Sequence, residues 1–169
     1  MNIAYVTHAE GGVVNRVLAA LAMTLLDEGV RVIGTTQTDT PRPKTHHCDM
    51  DVRVLPDGGI IRISQDLGPN ARGCHLDPSA LEEAVALTAA RLEGAEILVV
   101  NKFGKHEAEG RGFREVIAEA AARDIPVIVG TNGLNIDAFM AFCGGDAVAL
   151  DAATDTLLTW ARPLVRRAA

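Results

Sequence analysis

Two runs of consecutive apolar residues constrain the fold most. Ala95–Val100 (AEILVV) and Ile125–Thr131 (IPVIVGT) show no alternation of apolar and polar positions. Such runs are typical of strands buried on both faces of a parallel sheet, and these sheets need helices on each side. The chain has 169 residues, 48% of them apolar, which is enough for one core. The sequence therefore predicts a single α/β domain over residues 1–169.

Helical and turn patterns surround these runs. A strand at Asn2–Val6 is followed by the glycine-containing segment 7–12 (THAEGG) and by a helix that ends before Gly29. A β-branched run at Val30–Thr38 predicts the next strand, and the prolines of 40–47 (TPRPKTHH) predict a loop. Strands at 48–55 and 60–66 flank the turn PDGG and predict a β-hairpin.

The second half of the chain alternates helices and strands. Asp77 and Pro78 are suited to begin a helix that ends near Gly94, and an acidic helix is predicted from Ala108 to Arg123. The remaining predicted elements are a short helix at 135–142, a strand at 147–150 and a last helix from Asp151. Parallel strands with helical crossovers predict a three-layer, mostly parallel sheet with an inserted hairpin.

Four polar segments are predicted to meet at one edge of this sheet. Ligands of open α/β sheets bind at the carboxyl ends of the strands. The segments that follow predicted strands there are 7–12 (THAEGG), 35–39 (TTQTD), 101–107 (NKFGKHE) and 131–133 (TNG). We call this edge the carboxyl rim and expect the ligand site on it.

Gly11 and Gly12 precede the first helix and allow a ligand to approach the backbone closely. The N-terminus of a helix attracts anions through its free N–H groups and its dipole. A working phosphate loop reads G-x-x-x-x-G-K-[ST], with a lysine on the outer phosphates and a hydroxyl on magnesium. Here those two places carry Val14 and Asn15. The pair of glycines is therefore compatible with anion binding and equally with a simple tight turn.

Three further side chains near this loop are candidates for an anion site. Asn15 has hydrogen-bond donors, Arg16 follows it with a charge, and His8 lies near the first glycine. Neither Asn15 nor Arg16 reproduces the geometry of the missing lysine.

The order of glycine loop, VIGTTQTD, hairpin, HLDPSALEEA and ILVVNKFGKHE resembles the small P-loop nucleoside-triphosphatase family first known from thermophiles. The resemblance covers roughly residues 1–131 and is remote. The whole chain is also similar to an uncharacterised bacterial family with the pattern Asn-Lys/Arg-Phe-Gly-Lys-x-Glu-x-x-Gly and the signatures CDM and GC-x-LD. Genes of that family tend to lie near molybdate-transport genes. The resemblance implies a P-loop-NTPase-like fold with degenerate nucleotide-binding motifs.

In the hydrolysing relatives, the strand that corresponds to 97–100 ends in Asp-Glu, whereas this chain has Asn101 and Lys102. The resemblance implies that the aspartate organises magnesium and that the glutamate positions water. An amide and an ammonium disfavour a hard divalent cation and favour a bare oxyanion. Gly104, Lys105 and Glu107 keep the family positions, which implies that the loop shape is retained. Lys102 pointing into solvent is the alternative.

These substitutions lead to two hypotheses. The first is a protein that binds a small anionic ligand, either a nucleotide or a molybdate-type oxyanion, without hydrolysis and in connection with molybdenum handling. The second is a nucleoside-triphosphatase whose active site is rebuilt from Arg16, Lys102, Glu107 and Glu109. Dependence on magnesium distinguishes the two hypotheses.

A second cluster combines thiol and imidazole groups. His47 and Cys48 begin one hairpin strand, and Cys74 and His75 lie in the loop before a helix, so the hairpin brings the two pairs together. Thiolates and imidazoles are ligands for zinc, copper or molybdenum, although the spacing is not that of a standard zinc site. Burial of both cysteines as small apolar groups is the alternative.

Charge and composition exclude other classes. The formal charge of −6 and the absence of a long basic run argue against a nucleic-acid-binding protein. Neither a membrane span nor a signal sequence is recognisable, so we expect a cytoplasmic protein without membrane insertion. Three widely spaced cysteines do not suit a disulfide framework. A homo-oligomer stays open, because small α/β domains often form pairs.

Overall fold

A computed structural model describes residues 2–43, 47–68, 70 and 75–165 of the chain. The described strands and helices alternate along most of the sequence. The strands are β1 (Ile3–Val6), β2 (Val32–Pro41), β3 (Cys48–Leu55), β4 (Ile60–Arg62), β5 (Ile97–Phe103), β6 (Val127–Thr131) and β7 (Val148–Leu150). The helices are α1 (Val13–Asp27), α2 (Pro78–Ala89), α3 (Lys105–Ala108), α4 (Arg114–Ala122), α5 (Ile136–Phe142) and α6 (Thr154–Val165).

The strands form one sheet in the order β4-β3-β2-β5-β6-β1-β7. β2, β5, β6, β1 and β7 run parallel to one another, whereas β3 and β4 are antiparallel additions at one edge. β6 lies between β1 and β5, so two strand spacings, about 9.5 Å in an ordinary sheet, separate the ends of β1 and β5. The predicted mostly parallel sheet with an inserted hairpin is confirmed.

Helices cover both faces of the sheet. Leu18, Leu21 and Leu25 of α1 share one core with Leu157 and Ala161 of α6. On the opposite face, α2, α4 and α5 contribute to a second core; their fully buried residues include Ala84, Ile117, Ala120 and Phe139. The apolar central strands supply side chains to both cores, which explains why their sequences show no alternation.

The ends of several elements differ from the sequence predictions. The acidic helix predicted from Ala108 to Arg123 is interrupted, because Gly110 and Gly112 adopt positive φ angles of 93° and 62° between α3 and α4. The helix that begins at Pro78 ends at Ala89 rather than near Gly94. Its predicted N-cap is confirmed, since the Asp77 carboxylate accepts hydrogen bonds from the N–H groups of Ser79 and Ala80.

β2 is longer than predicted and extends beyond its parallel neighbour. It pairs with β5 only as far as Thr35, but it stays paired with β3 through Pro41. Residues 36–41 and their partners on β3 therefore form an arm that projects past the end of this pairing. Asp39 lies on this arm, opposite Met50.

Candidate functional site

The carboxyl rim contains the four polar segments that the sequence placed together. β1, β2, β5 and β6 are parallel, so their carboxyl ends lie at the same edge of the sheet. Asn101 and Lys102 belong to the carboxyl end of β5 rather than to a loop. The sheet register with β6 shifts between Asn101 and Phe103, so the strand changes its pairing where the polar residues begin.

The glycine loop leads directly into α1. Gly12 is the N-cap residue, with a φ angle of 78° that residues with side chains rarely adopt. Gly11 has open space around it. In the same loop, the Nδ1 atom of His8 accepts a hydrogen bond of 3.0 Å from the N–H of Glu10. The 15-residue helix thus begins at a bare backbone, which suits an anion site.

Arg16 places a cation beside this loop. A Cβ atom on Gly12 would lie 3.3 Å from its Nη1 atom. Its side chain is 67% exposed and forms an ion pair of 3.8 Å with the more exposed Glu10. Exposed pairs of this length contribute little to stability, so the guanidinium is available to a ligand at small cost.

A chain of side-chain hydrogen bonds connects three elements at the rim. Asn101, only 2% exposed, donates from Nδ2 to Oδ1 of Asn15 at 3.1 Å. Asn15 in turn donates from Nδ2 to Oδ2 of Asp39 at 3.0 Å. The other oxygen of Asp39 accepts a bond of 2.7 Å from Nε2 of Gln37. We call these four residues the amide network.

Asp39 determines the direction of every bond in the amide network. A carboxylate can only accept hydrogen bonds, so Asn15 must turn its NH₂ group towards Asp39 and its oxygen towards Asn101. Asn101 must then donate as well. Its own Oδ1 atom is left buried without a partner among the described residues. The NH₂ group of Asn15, a donor that suits an anion, therefore lies on the outer side of the network, where the carboxylate of Asp39 is its acceptor.

Gly130 on β6 lets α1 reach across to β5. A Cβ atom at this position would lie 2.7 Å from Val14 and 2.9 Å from Leu18, and 3.2 Å from Oδ1 of Asn101. Val14 thus occupies the place of the phosphate-loop lysine and packs on the sheet. Because Gly130 has no side chain, the first turns of α1 lie close enough for Asn15 to contact Asn101.

The two lysines of the segment NKFGKHE differ in their surroundings. Lys102 is exposed, and no ion pair or hydrogen bond to it is found within the described ranges. Lys105, with 83% of its side chain exposed, lies on α3 and pairs with Glu109 at 3.7 Å. Glu109 also binds Arg111, whose guanidinium holds the pKa of that carboxyl below its usual range.

Glu107 is a structural residue of the loop that follows β5. It is 2% exposed, and its Oε2 accepts from the N–H of Gly104 at 2.9 Å. Its Oε1 accepts from the N–H of Phe113 at 3.3 Å. Burial raises the pKa of the Glu107 carboxyl, and the backbone hydrogen bonds oppose that shift. Both oxygens are engaged by backbone, so this carboxylate is not presented to a ligand at the rim.

His106 lies on the opposite face of the sheet from the amide network. It is 7% exposed, and its Nε2 lies 2.9 Å from Oε1 of Glu82 on α2. The same carboxylate oxygen accepts from the N–H of Gly112. These residues border an open depression of about 670 Å³ between α2 and the loop 110–112. The contacts join α2 to that loop and leave the histidine beside a carboxylate rather than a nucleophile.

The hairpin brings three of the four predicted metal-binding residues together. His47, Cys48 and His75 all line a small pocket of about 120 Å³, and the rings of the two histidines are 3.8 Å apart. Cys48 is an exposed free thiol. Cys74 lies outside the described residues. Within the part of the chain that the structure describes, no group of three or more suitable side chains is arranged to hold a metal ion.

Sequence reasoning placed the segment TTQTD at the rim but did not single out Gln37 or Asp39, and it missed Gly130. Gln37 and Asp39 lie two positions apart on β2, so their side chains lie on the same face of the strand. The segment TTQTD indicates this only if the strand is extended past Thr35, where its pairing with β5 ends. Gly130 lies within an apolar run in which nothing marks it as a contact point for α1. Asp39 matters because it adds a negative charge to the rim. The substitutions at Asn101 and Lys102 alone predict a rim without carboxylates.

The strand order, with a glycine loop before α1, is that of the P-loop-nucleoside-triphosphatase-like fold. The solution structure of a human cancer-related nucleoside triphosphatase has the same fold, with a TM-score of 0.63 over 99% of this chain and 97% of that chain. The two sequences are 17% identical. Among the described residues, no helix combines the length and apolar character of a membrane span.

The chain belongs to the family described as "Protein of unknown function (DUF2478)", which it matches over residues 3–160. It is also 34% identical over 146 residues to the molybdenum import ATP-binding protein ModC 2 of Bradyrhizobium diazoefficiens. That match covers 86% of this chain but only 16% of the length of the relative.

Proposed function

We propose that the protein binds a small anionic ligand at the carboxyl rim, without a divalent metal and without hydrolysing it. The ligand is a nucleotide or a tetrahedral oxyanion of the molybdate type. The observation that carries this proposal is the direction of the amide network, which turns the NH₂ group of Asn15 outwards beside the bare start of α1. Arg16 and Lys102 supply positive charge at the same edge.

The predicted site residues contribute unequally to this proposal. Gly11 and Gly12 supply backbone N–H groups, and His8 helps to order their loop. Asn101 acts by holding Asn15, since its own side chain is buried. We assign Gly104 and Glu107 to shaping the loop after β5 through their hydrogen bonds, and Lys105 to pairing with Glu109 on α3, rather than to contact with the ligand.

A role in molybdenum handling is the second part of the proposal. Its support is the similarity to a molybdenum import ATP-binding protein, in which the matched region is a small part of a longer chain. We infer that this domain provides an accessory binding site in that process, in the cytoplasm. The small pocket with His47, Cys48 and His75 is a further candidate site for a molybdenum or zinc species, and we propose Cys74, which lies outside the described residues, as the fourth ligand.

A nucleoside-triphosphatase with a rebuilt active site is the alternative, and Asp39 is the observation that favours it. It provides a carboxylate next to Asn15, which stands where a phosphate loop has its magnesium-binding hydroxyl. Glu107 cannot serve this role because the backbone of Gly104 and Phe113 engages both of its oxygens.

Titration calorimetry with ATP, GTP and molybdate, each with and without magnesium, tests the proposal. Sulfate serves as a tetrahedral control for molybdate. We expect at least one of the three ligands to bind, with an affinity that magnesium leaves unchanged, and no release of phosphate from either nucleotide. Tight nucleotide binding that requires magnesium, together with phosphate release, would establish the alternative and overturn the proposal.

A further inference from the structure

The amide network ends in a negative charge at the place where the ligand is proposed to bind. Both oxygens of Asp39 accept hydrogen bonds from amide groups, at 3.0 Å from Asn15 and at 2.7 Å from Gln37. These are the kinds of bond that an oxyanion would form with the same donors. The carboxylate is thus bound by the rim in the way that a ligand would be.

We propose that Asp39 is a built-in competitor of the ligand, which occupies the donors of the amide network until an oxyanion displaces it. This inference rests on the proposed function and adds a specificity-determining residue to it. The network would then select for anions that bind strongly enough to replace a carboxylate. Weakly held anions such as chloride would leave Asp39 in place.

The exchange requires no rearrangement in the interior. An oxyanion accepts from Asn15 as Asp39 does, so Asn15 and Asn101 keep their orientations when one anion replaces the other. A divalent cation would instead bind the carboxylate oxygens of Asp39, as in the nucleoside-triphosphatase alternative. The buried Oδ1 of Asn101 has no partner among the described residues, so the network already leaves one acceptor unpaired while the NH₂ group of Asn101 holds Asn15.

The arm that carries Asp39 allows its side chain to leave. β2 does not pair with β5 beyond Thr35, and Asp39 is exposed. Its backbone is held by the pairing with Met50 on β3, which does not involve the carboxylate. The side chain can therefore rotate into solvent while the sheet stays intact.

Replacing Asp39 by asparagine tests the inference. Asp39→Asn removes the negative charge and keeps the size of the side chain. Calorimetric titrations would use inorganic phosphate, molybdate and ATP as probes, without magnesium. We expect the variant to bind at least one probe about tenfold more tightly than the unchanged protein, because a full charge beside the site no longer opposes the ligand. Asp39→Glu, which restores the charge, is expected to return the affinity towards its original value.

Asp57→Asn is the matched control. It changes the net charge equally, but Asp57 lies in the turn after β3, at the opposite edge of the sheet, with 79% of its side chain exposed. We expect no change in affinity. A gain equal to that of Asp39→Asn would show a general charge effect and overturn the inference.

Three other outcomes are informative. Weaker binding by Asp39→Asn would mean that Asp39 holds the ligand, and an unchanged affinity would mean that it does not compete; each overturns the inference and leaves the proposed function intact. Failure of both proteins to bind any probe would overturn both. Asp39→Ala is a second variant, and thermal unfolding of each protein checks that the fold is retained.

Discussion

Asn101 and Glu107 lie six positions apart in one segment, and both are 2% exposed, yet their polar atoms have different surroundings. Both oxygens of Glu107 are bound by backbone N–H groups of its own loop. Asn101 uses its NH₂ group to hold a residue of a distant helix and leaves its oxygen without a partner in the described part of the chain.

Under the proposed function, the difference separates a residue that shapes its own loop from one that acts at the ligand site. Buried polar groups are normally paired, and a group that is not paired needs an explanation. The bonds of Glu107 determine the shape of the loop between Gly104 and Phe113. The bond of Asn101 orients a donor on Asn15 that faces the rim. We therefore expect changes at the first residue to affect stability and changes at the second to affect binding.

The largest effect on stability is expected for Gly112→Ala, because the added methyl group would clash with the carboxylate of Glu107. A Cβ atom there would lie 2.1 Å from Oε1 of Glu107, and the φ angle is 62°. We expect the free energy of unfolding to fall by about 3 kcal/mol or more, measured by urea denaturation. Gly110→Ala is the control, because Gly110 has a φ angle of 93° but open space around it. Equal losses in both variants would show that the contact with Glu107 is unimportant.

Glu107→Gln is expected to have the next largest effect, with a characteristic pH dependence. Glutamine turns an NH₂ group, which cannot accept, towards one of the two backbone N–H groups, whereas the hydroxyl oxygen of a protonated carboxyl still can accept. We expect this to cost about 1–3 kcal/mol. The raised pKa means that the folded state holds the proton of Glu107 more tightly than the unfolded state. Its contribution to stability is therefore greatest below the ordinary pKa of 4.5 and is lost as the pH rises through the raised pKa.

Denaturation curves from pH 4 to pH 8 measure this trend. The stability difference between the unchanged protein and Glu107→Gln should be largest at the acid end and should decrease with rising pH. A difference that grows with pH would contradict the assignment of Glu107 as a buried group that prefers its proton. Glu109→Gln, at an exposed carboxylate, supplies the control titration.

Asn101→Ala should affect ligand binding more than stability, unlike the substitutions at Gly112 and Glu107. The substitution removes an unpaired oxygen together with a paired NH₂ group, so we expect a loss of only about 1 kcal/mol in the free energy of unfolding. Anion affinity should fall about tenfold, because Asn15 is no longer held in its orientation. Gln65→Ala removes a half-buried amide outside the network and should leave the affinity unchanged. A large loss of stability with normal affinity would make Asn101 structural.

Lys102→Ala is expected to have the smallest effect. Its side chain is exposed, so stability should change by less than about 0.5 kcal/mol. Affinity for the anion should fall by about three- to fivefold at low salt and by less at high salt. Arg123→Ala removes an exposed charge before β6, at the opposite edge of the sheet, and tests for a general charge effect. Equal losses would place Lys102 outside the site.

The fold could be predicted well from the sequence, because burial leaves a direct mark on composition. The apolar strands β5 and β6 are buried on both faces, and their sequences show it. The cap at Asp77 and the hairpin turn depend on neighbouring residues, so local sequence was sufficient there. The split between α3 and α4 was missed because the pattern of acidic and apolar residues continues across Gly110 and Gly112.

The candidate site was predicted only in part, because its contacts join residues far apart in the chain. The rim and its glycine loop follow from the strand order. The bond between Asn15 and Asn101 spans 86 positions, and that between Asn15 and Asp39 spans 24. Nothing local in the sequence indicates such pairs. Glu107 was placed in the site because its position matches a family pattern, whereas its direction depends on backbone groups that form only in the folded loop.

A missing methyl group makes the whole arrangement possible. Gly130 stands on the strand between the glycine loop and Asn101, and any side chain there would meet Val14 and Leu18. Even an alanine would force the side chains of Val14 and Leu18 to shift, and we expect the start of α1, which carries Asn15, to move away from Asn101 with them. A mutational survey confined to polar side chains would therefore overlook Gly130, the position on which the contact between Asn15 and Asn101 depends.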